Sequence, residues 1–200
     1  MEMNARQILK DHVTKSVELT EAQFDAFYAC FKPASFRKGQ ALIREGDVVT
    51  QEYFVLSGCL KTYFLNDELK MTILQFAMPT WWASDYDALY NHHRASVNVD
   101  CVAHAEVLSI SSDDRERMCR EIAGIGHFFR WRTNRGYAAA QRRLLSLMTN
   151  DARKRYEELL AQYPALFQLV PKHLIASYLG VSRETLSRLY HASSQAKNVT

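Results

Sequence analysis

The chain has 200 residues, of which 48% are hydrophobic and 24% are charged. This composition is typical of globular proteins, and the length suits one large domain or two small ones. The sequence contains no apolar run long enough to cross a bilayer, and its first residues lack the apolar core and cleavage site of a signal peptide. We therefore expect a cytoplasmic protein without a membrane partner.

The formal net charge of +3 is distributed unevenly along the chain. Residues 1–119 contain 12 Lys and Arg against 17 Asp and Glu, a net charge of −5, whereas residues 120–200 contain 13 against 5, a net charge of +8. A basic C-terminal part favours a polyanionic partner such as nucleic acid, although a solvated basic face would have the same composition.

The four cysteines stand singly, at Cys30, Cys59, Cys101 and Cys119. Iron–sulfur clusters and redox switches require closely spaced ligands, and the sequence contains no CxxC pair. We interpret all four as reduced structural thiols.

A helix is predicted first over residues 20–31, where apolar side chains recur at helical spacing. Thr20 is suited to cap its N-terminus, and Pro33 follows its end. From there to about residue 110 the pattern changes to short runs rich in β-branched and aromatic residues. Gly, Asp, Asn or Pro separate these runs: ALIREGD, EYFVLSG, CLKTYFL, MTILQFA, ASVNVDCVA and EVLSI. This pattern predicts an antiparallel sandwich or barrel.

Helical periodicity returns after residue 111. Ser112 is predicted to cap one helix, and a long helix with apolar ends and a basic middle is predicted over residues 121–148. We expect this helix to pair with a second one, because Gly136 and the alanines at 138–140 would let two backbones approach closely. The alternative is that it packs against its own sheet domain. The residues after 148 are predicted to be helical, with a break at Pro164.

The stretch IASYLGVSRETLSRL, at residues 175–189, carries the most specific signal. Two short amphipathic segments meet at Gly180, and Ala176 precedes that glycine by one helical turn, as a close crossing of two helices requires. Apolar residues recur where such a pair would bury them, and Ser182 is suited to cap the second helix. The pattern predicts a helix-turn-helix.

The second helix of this pair begins with residue types suited to base recognition. Arginine can bind guanine O6 and N7 through two hydrogen bonds, and glutamate can accept one from cytosine N4. We therefore predict base contacts from Arg183, Glu184 and Arg188. The residues predicted to complete the DNA-binding surface, as the cap or through phosphate contacts, are Ser182, Thr185, Ser187 and Lys172. The alternative is a surface helix with incidental charges.

The stretch PKHLIASYLGVSRETLSRL resembles the helix-turn-helix of the CRP/FNR superfamily of bacterial transcription regulators, whose SRE…R residues read bases. FRKGQALIREGDVVTQEYFVLSGCLKTYF is similar to the start of that family's cyclic-nucleotide-binding β-roll. The resemblance implies an α+β fold with an N-terminal antiparallel β-roll (a double-stranded β-helix), a long dimerisation helix and a C-terminal helix-turn-helix domain. It also implies a homodimer, a palindromic double-stranded DNA operator and RNA polymerase as partners.

The resemblance divides the chain into a sensor domain at residues 1–120, a dimerisation helix at 121–148 and a DNA-binding domain at 149–200. Family members usually continue past the recognition helix into a β-hairpin wing. Because only about ten residues follow Tyr190, we expect this wing to be absent or truncated.

The effector pocket departs from the family pattern. The resemblance places Ser84 and Asp85 where the family has a Gly-Glu pair that holds the ribose, and Arg94 and Ala95 where it has the pair that holds the cyclic phosphate. Tyr137 falls where cAMP-binding members place small hydroxyl groups against adenine, and it would crowd the base. We therefore expect an effector other than cAMP, of unknown identity, and no required cofactor.

The aromatic residues Trp81, Trp82, Tyr86 and Tyr90 stand near this pocket, and we interpret them as core packing rather than as a cage for an apolar ligand. The adjacent histidines at 92–93 are interpreted as exposed, and no metal site is predicted. No nucleophile–base pair or phosphate-binding loop indicates an enzyme.

Taken together, these patterns predict a sequence-specific DNA-binding transcription regulator that responds to an effector through its β-roll. The alternative is a ligand-binding module that acts through protein–protein contacts without specific DNA binding.

Overall fold

The computed structural model describes residues 2–197. The chain forms two compact units. The first contains the residues up to Thr62 together with Phe76–Ala138, and the second contains Tyr63–Gln75 together with the residues from Ala139 onward. Each unit is described below by itself.

The described helices are α1 Glu2–Val13, α2 Glu21–Tyr28, α3 Tyr86–Asn91, α4 Ser112–Glu121, α5 Ala123–Thr149, α6 Ala152–Gln162, α7 Leu166–Leu169, α8 Lys172–Leu179 and α9 Arg183–Lys197. The described strands are β1 Lys32–Phe36, β2 Ala41–Ile43, β3 Gln51–Ser57, β4 Leu60–Leu65, β5 Met71–Ala77, β6 Trp82–Ala83, β7 Asn98–Cys101 and β8 Ala105–Ser111. None of these helices has the length and apolarity needed to cross a membrane.

The strands form two four-stranded sheets, ordered β1-β8-β3-β6 and β2-β7-β4-β5. The pairs β1–β8, β2–β7, β3–β6 and β3–β8 are antiparallel. The predicted runs correspond to β2, β3, β4, β5, β7 and β8, so the antiparallel β-roll is confirmed. The short strands β1 and β6 were not predicted, because neither contains an alternating apolar pattern.

One turn of the β-roll depends on a close backbone approach. Gly58 lies between β3 and β4 with φ of +82°, and a Cβ atom built on it would lie 2.1 Å from the carbonyl oxygen of His104. Glycine is therefore required at this position for both its conformation and its lack of a side chain.

The first unit contains two groups of buried apolar side chains. One fills the β-roll and includes Val55, Leu60 and Val107. The other lies where α1, α2, α4 and α5 pack, and includes the fully buried Phe24 and Phe128. Helix α1 was not predicted, although Ala5, Leu9 and Val13 repeat every four residues and are buried in this second group.

The helix boundaries agree closely with the sequence pattern. The predicted cap of α2 is confirmed, since the Thr20 hydroxyl accepts from the Gln23 N–H at 3.2 Å and the Gln23 side chain accepts from the Thr20 N–H. The cap of α4 is Ser111, which accepts from the Asp114 N–H at 3.1 Å. The prediction of Ser112 as that cap was therefore wrong by one residue. Ile122, in an extended conformation, separates α4 from α5.

In the second unit, α6 ends before Pro164, as the sequence pattern predicts, and Asp151 caps its N-terminus. Pro171 occupies the N-cap position of α8. Helix α9 continues past Tyr190 to Lys197, so the described residues that follow Tyr190 are helical. The remaining residues, 198–200, in which part of any wing would fall, lie outside the described residues.

Candidate nucleic-acid interface and effector region

Helices α8 and α9 meet at a tight turn. Gly180 ends α8 in the left-handed conformation, with φ of 67° and ψ of 37°, which glycine adopts without a steric penalty. The Val181 N–H then donates to the Ala176 carbonyl at 3.0 Å, and the Ser182 hydroxyl accepts from the Thr185 N–H at 3.1 Å. Ser182 therefore caps α9 as predicted from the sequence.

The apolar faces of the two helices pack against each other. The buried side chains of this pair are Leu174, Ile175, Ala176, Leu179 and Leu186. Because this packing uses one side of α9, it determines which side faces solvent.

The solvent-facing side of α9 carries most of the predicted DNA-contacting residues. Arg183, Glu184, Ser187 and Arg188 are all exposed. At about 100° per residue, these four positions span roughly 140° of the helix circumference, an arc that does not include the buried Leu186. The exposed Glu184 has a lowered pKa, because its carboxylate accepts from its own backbone N–H and from Ser182 and lies near two arginines.

The remaining predicted DNA-contacting residues are placed differently. Lys172, at the start of α8, is exposed, and its ammonium group lies 4.0 Å from the ring centroid of Tyr190 in α9. This cation–π contact places a positive charge beside α9. The hydroxyl of Thr185 lies 3.1 Å from that of Ser182, so these two side chains are engaged with each other at the cap.

Side-chain hydrogen bonds to the backbone of β5 are a second feature of this unit, and the sequence pattern did not predict them. The Arg143 guanidinium donates to the carbonyl oxygens of Ile73 and Leu74 in β5 and of Tyr178 in α8. The Ser177 hydroxyl donates to the Met71 carbonyl at 2.7 Å and accepts from the Ile73 N–H at 3.3 Å. Two side chains thus bind the backbone edge of β5, which is an edge strand, and join it to α8.

In the first unit, the residues predicted for the effector pocket lie in two groups. Ser84, Asp85 and Ala95 are buried, and the Asp85 carboxylate accepts hydrogen bonds from the segment that follows Ala95. Arg94 instead is exposed, and its guanidinium donates to the Gly46 carbonyl at 2.9 Å. Tyr137 lies on α5 with 71% of its surface exposed.

A buried ionic cluster lies close to α3. The Glu52 carboxylate on β3 is 2.6 Å from Arg132 of α5 and 3.6 Å from Arg115 of α4, and Glu52 is 1% exposed. The Arg132 guanidinium also lies 4.5 Å from the centroid of the Trp82 ring. Burial raises the pKa of the Tyr86 phenol, which lies near this cluster. Sequence reasoning missed this cluster because its members are far apart in the chain.

The aromatic residues near the pocket do not form one cage. Trp82 is buried against Phe54 and Phe129, as the core-packing interpretation expects. Tyr86 and Tyr90 stack at 6.3 Å between ring centroids, and Tyr90 is 42% exposed.

The histidine pair lies at the surface. His93 bonds the Arg94 carbonyl and lies 3.1 Å from Asp87, and both contacts raise its pKa. The described residues contain no group of three or more His, Cys, Asp or Glu that could hold a metal ion.

Residues 33–121 match the family described as the cyclic nucleotide-binding domain. Among solved structures, FixK2 from Bradyrhizobium japonicum superposes with a TM-score of 0.73 at 17% sequence identity, over 84% of this chain and 86% of that chain. The chain has the fold of CRP/FNR regulators, and its residues 33–121 are similar to the cyclic nucleotide-binding domain. This result confirms the resemblance and the fold class that the sequence predicted.

Two further solved structures have the same fold. A protein from Eubacterium rectale, described as a transcriptional regulator of the CRP/FNR family, gives a TM-score of 0.66 at 16% identity, over 89% of this chain and 85% of that chain. The catabolite activator protein of Thermus thermophilus gives 0.55 at 22% identity, over 90% and 85%. No curated protein sequence is similar enough to match the chain. At these identities the similarity establishes the fold.

Proposed function

We propose that this CRP/FNR-fold protein is a transcription regulator that binds specific double-stranded DNA through α8 and α9. The observation that carries the proposal is the exposed row of Arg183, Glu184 and Arg188 at the N-terminal end of α9. A recognition helix enters the major groove by that end, and these side chains can form hydrogen bonds to base edges there.

Charge supports the same function. The net charge of +8 on residues 120–200 suits a surface that contacts phosphates. Lys172, held beside Tyr190, and the exposed Ser187 add hydrogen-bond donors to this surface. We assign them phosphate contacts, which position the protein on the duplex without reading its sequence.

We also propose that two copies of the chain pair through α5. Three of its most exposed apolar side chains are Tyr137, Leu144 and Met148, which fall within about 40° of one another at 100° per residue. The positions that form this stripe are uncharged: Thr133, Asn134, Tyr137, Ala140, Gln141, Leu144 and Met148. A second α5 would bury an apolar seam that is otherwise in water.

Such a dimer would present two copies of α9 to a two-fold symmetric operator, with half-sites about 34 Å apart. In this proposal residues 1–120 are the sensor domain, residues 121–148 the dimerisation helix and residues 149–200 the helix-turn-helix DNA-binding domain. The regulator acts in the cytoplasm, and RNA polymerase is the partner through which it changes transcription. The effector is not cAMP, and it acts by shifting the population of dimers with correctly spaced recognition helices.

Selection from a random duplex DNA pool, without added ligand and at near-physiological salt, tests the DNA-binding function. We expect enrichment of a palindrome. Absence of enrichment both without ligand and with cell extract would contradict the proposal and favour the module that acts through protein–protein contacts. A measured transcription rate from a promoter that contains the selected palindrome then tests the effect on RNA polymerase.

Arg183→Ala tests the base-reading role. We expect it to weaken binding to the selected site by about 1–3 kcal/mol and to relax the preference at one base position. Lys154→Ala, which removes another exposed basic side chain of the same unit, is the matched control. An equal loss on selected and random duplexes would show that Arg183 contacts only phosphates.

Leu144→Glu tests the dimer. A charge placed in a buried apolar seam is costly, so we expect the mass measured by light scattering to fall from that of two chains to that of one. Thr149→Glu adds the same charge about 100° away from Met148 around α5 and should leave the dimer intact. Equal behaviour of the two variants would place the interface elsewhere.

A further inference from the structure

The C-terminal end of α8 has two carbonyl groups that the following turn does not bind. A helix leaves its last four carbonyl oxygens without a partner inside the helix. In α8 the Gly180 N–H donates to the oxygens of Ala176 and Ser177. Within the described part of the chain, no backbone N–H of the turn donates to the oxygens of Tyr178 and Leu179. These two acceptors therefore depend on side chains.

Two arginines supply the missing donors. The Arg143 guanidinium donates to the Tyr178 oxygen at 2.8 Å and lies 3.7 Å from the centroid of the Tyr178 ring. Arg155 Nε donates to the Leu179 oxygen at 3.0 Å. Both arginines are half-buried, and a positive charge at the C-terminal end of a helix also interacts favourably with the helix dipole. We call Arg143 and Arg155 the arginine brace.

The arginine brace joins α8 to other segments of the same unit. Arg155 also donates through Nη1 to the carbonyl oxygen of Asn150, directly after α5, at 2.7 Å. Arg143 lies on α5 itself and also donates to the carbonyl oxygens of Ile73 and Leu74 in β5. Because a guanidinium presents its donors in a rigid fork, each arginine fixes the groups that it bonds relative to one another. The C-terminal ends of α5 and α8 are thus linked by side-chain hydrogen bonds.

We infer that Arg143 and Arg155 are positioning residues for the recognition helix, which hold α8, and through the turn at Gly180 also α9, against the C-terminal end of α5. The inference rests on the proposed function, in which α5 pairs and α9 reads DNA. Two half-sites require two recognition helices at a defined spacing, and a preorganised link reduces the ordering cost of binding. These two basic side chains determine DNA specificity without contacting phosphates, because carbonyl groups of the chain already occupy their donors.

Binding of Arg143→Met and Arg155→Met to the selected palindrome and to a random duplex tests the inference. We expect each variant to bind the palindrome about tenfold or more weakly than the wild type, because a displaced α9 loses base contacts. Binding to the random duplex should change by less than about twofold, since phosphate contacts are kept. The slope of log affinity against log salt concentration should also be unchanged, whereas loss of a phosphate contact would reduce it by about 1.

Arg142→Met is the matched control. Arg142 stands beside Arg143 on α5 and is exposed, so the variant removes the same charge without freeing a carbonyl of α8. It should bind both duplexes like the wild type.

Arg155→Lys separates position from charge. Lysine keeps the positive charge, but its single ammonium group cannot reproduce the planar fork that reaches Leu179 and Asn150 together. We expect binding to the palindrome to weaken by about threefold or more. A phosphate contact would instead be preserved by lysine, and wild-type affinity in this variant would contradict the inference for Arg155.

Hydrogen exchange without DNA provides a second measurement. The Val181 N–H donates to the Ala176 oxygen, and the Leu186 N–H donates to the Ser182 oxygen. Both amides should exchange about threefold or more faster in the two Met variants, because the turn and the first turn of α9 open more often. In Arg142→Met they should exchange at the wild-type rate.

Two binding results would overturn the inference. One is that both Met variants bind the palindrome as tightly as Arg142→Met. The other is an equal loss on both duplexes with a reduced salt slope, which would make the arginines phosphate contacts. If the wild type selects no DNA sequence, the proposed function fails, and exchange at Val181 and Leu186 then decides whether the brace positions α9. If Arg155→Met does not fold, Arg155→Lys serves for both measurements.

Discussion

The two units place their charged groups in opposite environments. In the first unit Glu52 and Arg115 are buried, and Asp85 is enclosed by amides. In the second unit Arg183, Glu184 and Arg188 are exposed on α9. A buried charge contributes to stability through fixed partners, whereas an exposed charge remains available to a ligand. We therefore expect substitutions of these charged residues to destabilise the first unit and to change ligand binding by the second unit.

Glu52→Ala should give the largest loss of stability. It leaves Arg132 and Arg115 without the carboxylate that lies 2.6 Å and 3.6 Å from them. Removal of one partner of a buried ion pair costs about 3–5 kcal/mol, measured as the free energy of unfolding in denaturant. The control is Glu157→Ala, which breaks the exposed pair with Arg153 and should cost about 0.5 kcal/mol or less. Similar losses for both would contradict the contrast between buried and exposed charges.

Arg143→Met qualifies the comparison, because Arg143 is a half-buried charge within the second unit. Burial lowers the pKa of its guanidinium, and its substitution leaves three carbonyl oxygens without their donor. We expect a loss of about 1–3 kcal/mol and faster hydrogen exchange in α8 and β5. The neighbouring Arg142 is exposed, so Arg142→Met should change neither quantity. Unchanged exchange in Arg143→Met would mean that the β5 edge does not hold α8.

A pH dependence of the stability is expected to arise from His12. Burial, and then the charges of Lys15 and Arg132, lower its pKa from 6.5 to about 4. Between those values the unfolded chain binds more protons than the folded chain, so this contribution to stability falls as the pH drops from about 6.5 towards 4. His12→Gln should flatten that slope in denaturant titrations at several pH values.

His93 should give a pH dependence of stability with the opposite sign. Its pKa is raised by the Arg94 carbonyl and by Asp87, so its contribution is present below the unfolded pKa and is lost as the pH rises through the folded one. The group is exposed, and His93→Ala should change the slope of stability against pH only slightly.

For the His12 prediction, a steeper loss of stability at acid pH in His12→Gln than in the wild type would contradict the assignment of this pH dependence to His12.

Structural features that depend on short-range contacts could be predicted from the sequence more readily than features that depend on long-range contacts. Thr20, Asp151 and Ser182 act on amides three residues ahead, so their roles are visible in a short window of sequence. Helix α1 was overlooked although its apolar spacing is regular. Asp85 was assigned to the effector region by resemblance, but its bonds to residues 96 and 97 could not be inferred, because they depend on how the loop between α3 and β7 folds back.

The sequence alone determined the helices with caps, the short strand-forming runs and the pairing of α8 with α9 at Gly180, because each depends on neighbours within a few positions. The tertiary structure alone decided which charges are enclosed. Glu52 meets Arg132 across 80 positions of the chain, and Arg143 meets Ile73 across 70. Such contacts form only when packing excludes water between distant segments, and no local pattern records which segments those are.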